Sequence, residues 1–316
     1  MKKLVRLALA AAALAVAAPA MAQGAYPLPA EVTFPEGVAY DAKTQSIYTA
    51  SSPKGTVARV DARTGKATAI ASPEVAQQIG TTFPGVLGMK VDSRGRLWMA
   101  GGRTGKIFVV DPKTGRLIQT ITTPEPEKGL INDIAFAGGR AYITDTFRPT
   151  LWAVDAGAQI PGAAEAFLSF DGTPLQYAQG ANLNGITPTP DGRTLLTGQM
   201  NKGLLFKIDL ASKQVSPIPL GAETVPGADG LILQGRTLYV IRQPAGEIVT
   251  VQLSGDLASG QVVKRTAAAG LAWPATGVIV GNELVVANSQ FNKRGSNDPV
   301  TPFALSRVPL ADLAGR

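Results

Sequence analysis

The sequence predicts an all-β fold, a six-bladed β-propeller with four antiparallel strands per blade, on three observations. A pattern of paired apolar strands recurs six times at intervals of 45 to 52 residues. The 35 Gly and 23 Pro are spread along the whole chain and punctuate short apolar runs. No long amphipathic helix is readable. Four short strands repeated at such a period make a propeller blade, since one small sheet cannot bury its faces alone and a closed ring of sheets can. An open solenoid or a two-sheet sandwich would hold the strands but would not explain the six-fold register.

The first copy reads GVAYD from Gly37 and SIYTAS from Ser46. The second reads GMKVD from Gly88 and RLWMAG from Arg96, and the third DIAFA from Asp133 and RAYITD from Arg140. GITPT from Gly185 with RTLLTG from Arg193, and GLILQ from Gly230 with RTLYVI from Arg236, are the fourth and fifth. GVIVG from Gly277 and ELVVAN from Glu283 are the sixth. Turn signals such as Asp92–Gly95, Gly138-Gly139 and Asp191-Gly192 separate the strands. A third strand follows each pair, and four of these end in Asp61, Asp111, Asp155 and Asp209. A fourth strand is readable only in the first two copies, from Lys66 and from Arg116. The sixth copy ends after its third strand, near Pro309. Its outer strand is expected from the N-terminus, at Ala30–Phe34, which would close the ring and remove two open edges. Helix is expected at Pro73–Ile79 and at Pro161–Phe167. Trp98, Tyr142 and Trp152 fall within strands and are expected in the core.

Lys2, Lys3 and Arg6, the apolar run Leu7–Ala18 and the Ala20-Met21-Ala22 site read as a secretory signal peptide over residues 1–22. Residues 23–316 then form one propeller domain, expected in the periplasm or secreted. The leader holds three of the 30 basic residues and none of the 23 acidic ones, so the mature chain is only mildly basic. No Lys/Arg cluster points to nucleic acid, and no second apolar run points to a membrane. The chain has no Cys and no His. Thiolate nucleophiles, imidazole bases, Ser-His-Asp triads and ordinary zinc sites are therefore excluded. Chemistry must rest on carboxylates, amides, hydroxyls, Lys, Arg, Tyr or an oxygen-held metal.

The innermost strand of each blade starts at one mouth of the central channel, so equivalent positions converge there. In the sequence register these are Glu36, Leu87, Asn132, Asn184, Asp229 and Thr276. Asn-Gly and Asp-Gly pairs alone are common turn signals, as Asp191-Gly192 illustrates. Their shared register with Glu36 and Asn132 is what raises Asn184 and Asp229 above that reading. Two carboxylates and two amides around one axis suit a hard cation, Ca²⁺ first, then Mg²⁺ or Mn²⁺. Four protein ligands leave positions open for water or a substrate oxygen, as a metal-dependent hydrolase requires.

Pro35-Glu36-Gly37, Asn132-Asp133, Asn184-Gly185 and Asp229-Gly230 resemble, in order and spacing, the hallmarks of the senescence marker protein (regucalcin)/gluconolactonase/LRE-like family. The resemblance implies a six-bladed propeller with one divalent cation, usually Ca²⁺, at the channel mouth. It implies Glu36, Asn184 and Asp229 as direct ligands, Asn132 as ligand or substrate contact, and Asp229 as general base. One departure stands out. Sugar-lactone members commonly carry Arg two residues before the Asn132 position, and this chain has Leu130.

Loops after each second strand return to the same mouth. They bring Ser51-Ser52, Arg103, Phe147-Arg148, Gln199, Arg242-Gln243 and Gln290-Phe291 around the cation, and loops entering the blades add Phe83, Tyr177 and Trp273. From these, Asn132, Tyr177, Gln199, Gln290 and Arg148 are expected to contact a small, partly apolar ester or lactone. The expected activity is Ca²⁺-dependent hydrolysis of a small-molecule lactone or ester. The alternative is a non-catalytic propeller whose cation is structural and whose mouth binds a ligand or protein.

Overall fold

The computed structural model describes residues 24–268, 270–296 and 298–315. The leader read in residues 1–22 lies outside them. The described strands form six four-stranded antiparallel sheets. The innermost strands are Pro35–Asp41, Met89–Val91, Ile131–Ala137, Leu183–Pro188, Ala228–Gln234 and Pro274–Val280. In each of the first five sheets, four consecutive strands run outward in chain order. Among the described residues, no helix is long and apolar enough to cross a membrane.

The core lies between the sheets rather than within any one of them. Tyr48 and Val57 of blade 1 cluster with Leu97 and Phe108 of blade 2. Trp98 and Ile107 of blade 2 cluster with Ile143 and Trp152 of blade 3. Equivalent clusters join blades 3 and 4, 4 and 5, 5 and 6, and 6 and 1. Each middle strand is buried on both faces, which is why it reads as a continuous apolar run instead of an alternation. Trp98, Tyr142 and Trp152 are core residues, as expected.

The ring closes through an N-terminal strand, but one displaced from the expected position. Ala25–Pro27 pairs antiparallel with Ala304–Pro309 as the outermost strand of blade 6. Leu28 N extends the ladder to Phe303 O at 2.8 Å. Ala30–Phe34 does not pair there, because it is the connection. From the outer strand of blade 6 the chain must reach the innermost strand of blade 1 at Pro35. That crosses three strand spacings, about 14 Å, and a strand at Ala30–Phe34 would leave no residue to span it. Phe34 turns the chain with φ of 51° and packs its ring 4.9 Å from Phe303.

Helix forms at Pro73–Ile79, with Pro73 in its first turn and Val75 and Ile79 buried. Pro161–Phe167 is not helical. Glu165–Ser169 is instead the outer strand of blade 3, paired with Thr150–Asp155. The open edge of that blade and the Phe167 ring, 5.1 Å from Tyr142, outweigh the helical preference of the alanines. Outer strands absent from the sequence reading also form at Val215–Ile218 and Gly260–Thr266.

Candidate metal and substrate site

One local device builds the site. In blades 1, 3, 4, 5 and 6 the pairing of the two innermost strands slips by one residue. The slips lie between Pro35 and Val38, Ile131 and Ile134, Leu183 and Ile186, Ala228 and Leu231, and Pro274 and Gly277. Each is a β-bulge with two residues opposite one, which re-aims the first of the two. In blade 2, Leu87 N bonds Ala100 O and Gly88 O accepts from Ala100 N, placing the same pair opposite one residue. The first bulge residues are therefore Glu36, Leu87, Asn132, Asn184, Asp229 and Ala275. Thr276, expected at this position, is displaced by one and takes the second bulge position instead.

The second bulge residues are Gly37, Gly88, Asp133, Gly185, Gly230 and Thr276. These glycines are needed for close approach between blades. A Cβ on Gly37 would lie 2.9 Å from Met89 N, on Gly88 2.7 Å from Asn132 O, and on Gly230 2.6 Å from Thr276 Cα. Because the inner strands touch there, the first bulge residues crowd around one end of the channel. Asn132, Asn184 and Asp229 come from consecutive blades. Glu36 stands opposite them between Leu87 and Ala275, and its longer side chain suits the reach across the axis.

All four predicted ligands are buried, at 2 to 6 % exposure. Glu36 Oε2, Asn132 Oδ1 and Asp229 Oδ1 have no hydrogen-bond partner. The Asn132 amide is oriented by donating to Thr146 Oγ1 at 2.9 Å, and that hydroxyl donates onward to Leu183 O at 2.8 Å. Asn184 turns its Nδ2 toward Met200 Sδ at 3.5 Å. The Asn132 nitrogen is thus spent on a protein neighbour and its oxygen is left free. Burial raises the pKa of Glu36 well above its ordinary value, with the charges of Asp229 and Asp133 adding to the shift. Burial and the charge of Asp133 do the same to Asp229, against a smaller lowering by the neighbouring Asn184 side chain. Buried oxygens without donors, two of them on mutually repelling carboxylates, are a donor set that a hard cation fits. Among the described residues no cluster of three or more His, Cys, Asp or Glu could hold a metal. This set depends on amides for half its oxygens.

Asp133, named in the sequence only as the second residue of the Asn132-Asp133 pair, and Lys90, not named there, belong to the same neighbourhood. Asp133 stands where blades 1, 2, 4 and 5 have Gly. Its carboxylate accepts from Ile134 N, from Ile186 N of the next blade, and from Lys90 Nζ at 3.0 Å. Its lone pairs are spent on tying blades 2, 3 and 4 together, and Lys90 offsets its charge. The available signal was an Asp in a column of glycines.

The expected substrate contacts divide. Asn132 keeps a free oxygen. Gln199, fully buried, donates to Gln176 O and Asn182 Oδ1 and keeps Oε1 free. Tyr177 spends its hydroxyl on Asp145 O at 2.6 Å. Gln290 is bound at both ends to the backbone of Val300. Arg148 binds Asp145 Oδ2 at 2.6 Å, Thr123 Oγ1 at 2.9 Å and the carbonyls of Pro124 and Glu125, and it covers Trp152. Arg148→Gln is therefore expected to act on stability. It leaves the fully buried Asp145 carboxylate without its cation, a loss of about 3 kcal/mol or more. Thermal or urea melts should show it, and an unchanged melt with a raised KM alone would contradict it.

Residues 13–147 match the family model described as SMP-30/Gluconolactonase/LRE-like region. No curated protein matches the sequence. Among solved structures, the chain is similar to regucalcin, a calcium-binding protein from Agrobacterium tumefaciens, with TM-score 0.63 and 15 % identity, over 93 % of this chain and 95 % of that one. It is similar to a luciferin-regenerating enzyme with TM-score 0.62 and 16 % identity, over 88 % and 91 %. A streptogramin B lyase gives TM-score 0.57 and 14 % identity, over 84 % and 79 %. At these identities the structures share the propeller fold.

Proposed function

We propose that this propeller, which carries an SMP-30/gluconolactonase/LRE-like region, is a divalent-cation-dependent hydrolase of lactones or related small esters. The observation that carries the reading is the set of partnerless buried oxygens on Glu36, Asn132 and Asp229, delivered from three blades by the same bulge. Glu36, Asn184, Asp229 and Asn132 would hold the cation, Ca²⁺ first by its preference for many oxygen ligands. When bound, such a cation polarises an ester carbonyl. The remaining work falls to the chain. Asp229, the site carboxylate beside Asn184, accepts a proton from the attacking water. The water oxygen bonds to the carbonyl carbon, the ring C–O bond breaks, and the proton passes to the departing alkoxide. Nothing is oxidised or reduced. Asn132, fixed by Thr146, orients the carbonyl side, and the apolar Leu87 and Ala275 leave water few partners beside Glu36. An extracytoplasmic setting, from the leader read in residues 1–22, belongs to the same proposal.

A second reading, a cation-stabilised propeller that binds without catalysis, draws on the structural commitments of Tyr177, Gln290 and Arg148. A panel of lactones and esters, run with Ca²⁺ and with chelator, separates the two. Turnover that chelator removes supports the hydrolase. Full turnover in chelator ends the metal reading, and Ca²⁺-dependent stabilisation without turnover selects the second.

The pH dependence of that stabilisation has a definite sign. In the metal-free fold, Glu36 and Asp229 hold protons above their ordinary values of 4.5 and 3.8. The folded state then binds more protons than the unfolded chain, so stability falls as pH rises from those values toward the raised ones. A cation needs the ionised carboxylates and opposes this loss. The Ca²⁺-induced rise in Tm should therefore be larger at about pH 7.5 than at about pH 5, reaching roughly 4 °C at a hundredfold excess over Kd. An increment that shrinks with pH would refute the assignment of these carboxylates.

A further inference from the structure

Several basic side chains at this mouth are paired, while Lys54 and Lys202 have no ion pair and lie on no aromatic ring among the described residues. Arg148 pairs with Asp145, Arg242 and Arg265 with Glu247, Lys128 with Glu125, and Lys293 with Asp298. Arg103 and Arg294 have no ion pair among the described residues, and each lies on an aromatic ring. The guanidinium carbon of Arg103 is 4.5 Å from the Phe147 ring centre, and that of Arg294 is 3.6 Å from the Phe83 ring centre. Phe83 in turn meets Phe291 edge-on at 5.0 Å.

Chain order puts these residues in an arc of loops at the end of the channel where the inner strands begin. Phe291 and Arg294 follow the second strand of blade 6, Phe83 leads into blade 2, Arg103 follows the second strand of blade 2, and Phe147 that of blade 3. Arg103 N donates to Pro84 O at 2.9 Å, and Gly85 N to Ser52 O at 3.1 Å, which fastens the arc to blades 1 and 2. At its far end Phe147 follows Thr146, the residue that orients Asn132. Stacking covers one face of a guanidinium and leaves its in-plane donors free, in a fork that matches a carboxylate. Below the arc, Glu36, Asp229 and Asp133 outweigh Lys90, and a divalent cation between them would bring the floor to neutrality. An anion is then attracted at the rim and no longer repelled from below.

We propose that Arg103 and Arg294 receive a carboxylate on the substrate, so that the substrates are lactones or esters bearing an anionic group. This rests on the hydrolase reading for its reaction, while the arc itself is a binding site that can be measured separately. The experiment compares kcat/KM for a five-membered lactone carrying a ring carboxylate with that for its uncharged parent, in Ca²⁺-loaded protein. It also measures glutarate binding by calorimetry, with Ca²⁺ and with chelator. In the native chain the ratio should exceed about tenfold, the scale of one charge-assisted hydrogen-bonded pair. Arg103→Gln and Arg294→Gln should each lower the ratio and weaken glutarate by a similar factor, with melts showing folded protein. Lys113→Gln, on the opposite face, should change neither. A native ratio near one, or a ratio that both Arg variants leave intact, overturns the proposal. If neither lactone is hydrolysed, the hydrolase reading fails, yet Ca²⁺-dependent glutarate binding that weakens in the variants still supports the arc. Absence of glutarate binding overturns it.

Discussion

Asp229→Asn is expected to lower kcat/KM on a responsive lactone by about a thousandfold with Ca²⁺ in excess, within the range of lost general-base catalysis. The substitution keeps an oxygen ligand and nearly the same volume, so the packing between blades 4, 5 and 6 is undisturbed. It removes the one carboxylate of the four candidate ligands besides Glu36 that can accept a proton, and a chain without His or Cys offers no imidazole or thiolate in its place. The same change should stabilise the metal-free protein. Asp229 is 2 % exposed, its Oδ1 has no donor, and Asp133 and Glu36 repel it. A neutral amide escapes that cost, so Tm in chelator should rise while the Ca²⁺ increment falls. This opposition of stability and activity is expected where a functional group is held in an unfavourable place. Full activity in a folded Asp229→Asn protein would remove Asp229 as the base. A lower Tm in chelator would show that the carboxylate serves the fold.

The fold was legible because the propeller imposes its period on the sequence. Six strand pairs, the third strands ending in Asp, and the in-strand tryptophans all report a register that the structure keeps. The convergence of the candidate ligands was legible for the same reason, since Glu36, Asn132, Asn184 and Asp229 share that register. What escaped was whatever depends on a single residue of offset or on competition among partners. Thr276 and Ala275 differ by one position, and only the bulge between Pro274 and Gly277 decides which faces the channel. Ala30–Phe34 has a strand-like composition, but the distance from rim to axis commits it to a connection. Arg148 and Tyr177 look like site residues because polar loop residues can always reach a mouth. Whether Asp145 claims them first is settled by three-dimensional proximity that no local pattern records. The glycines after the ligand positions were readable as turn signals, while their role in the fold is different.

That role predicts a large effect for Gly185→Ala. Gly185 has an ordinary negative-φ backbone that Ala could adopt, so conformational strain is not the cost. The added methyl would overlap Asp229 O and lie 2.8 Å from Leu231 N, both backbone atoms of the neighbouring inner strand. Backbone in a closed ring cannot move away as a flexible side chain can, so blades 4 and 5 must separate near the axis. Overpacking of this kind is expected to cost about 3 kcal/mol or more. It should also shift Asn184 and Asp229 apart, and so weaken Ca²⁺ binding. Gly192→Ala is the matching control. Gly192 has φ of +66°, and a methyl there would meet nothing closer than Gly138 N at 3.8 Å. Its cost is the left-handed backbone alone, about 1 to 2 kcal/mol, with no effect on the cation. Urea melts with and without Ca²⁺ would compare the two. If Gly185→Ala loses no more stability than Gly192→Ala and keeps its full Ca²⁺ increment, the inner strands are not held at contact distance by these glycines, and the bulge does not set the geometry of the site.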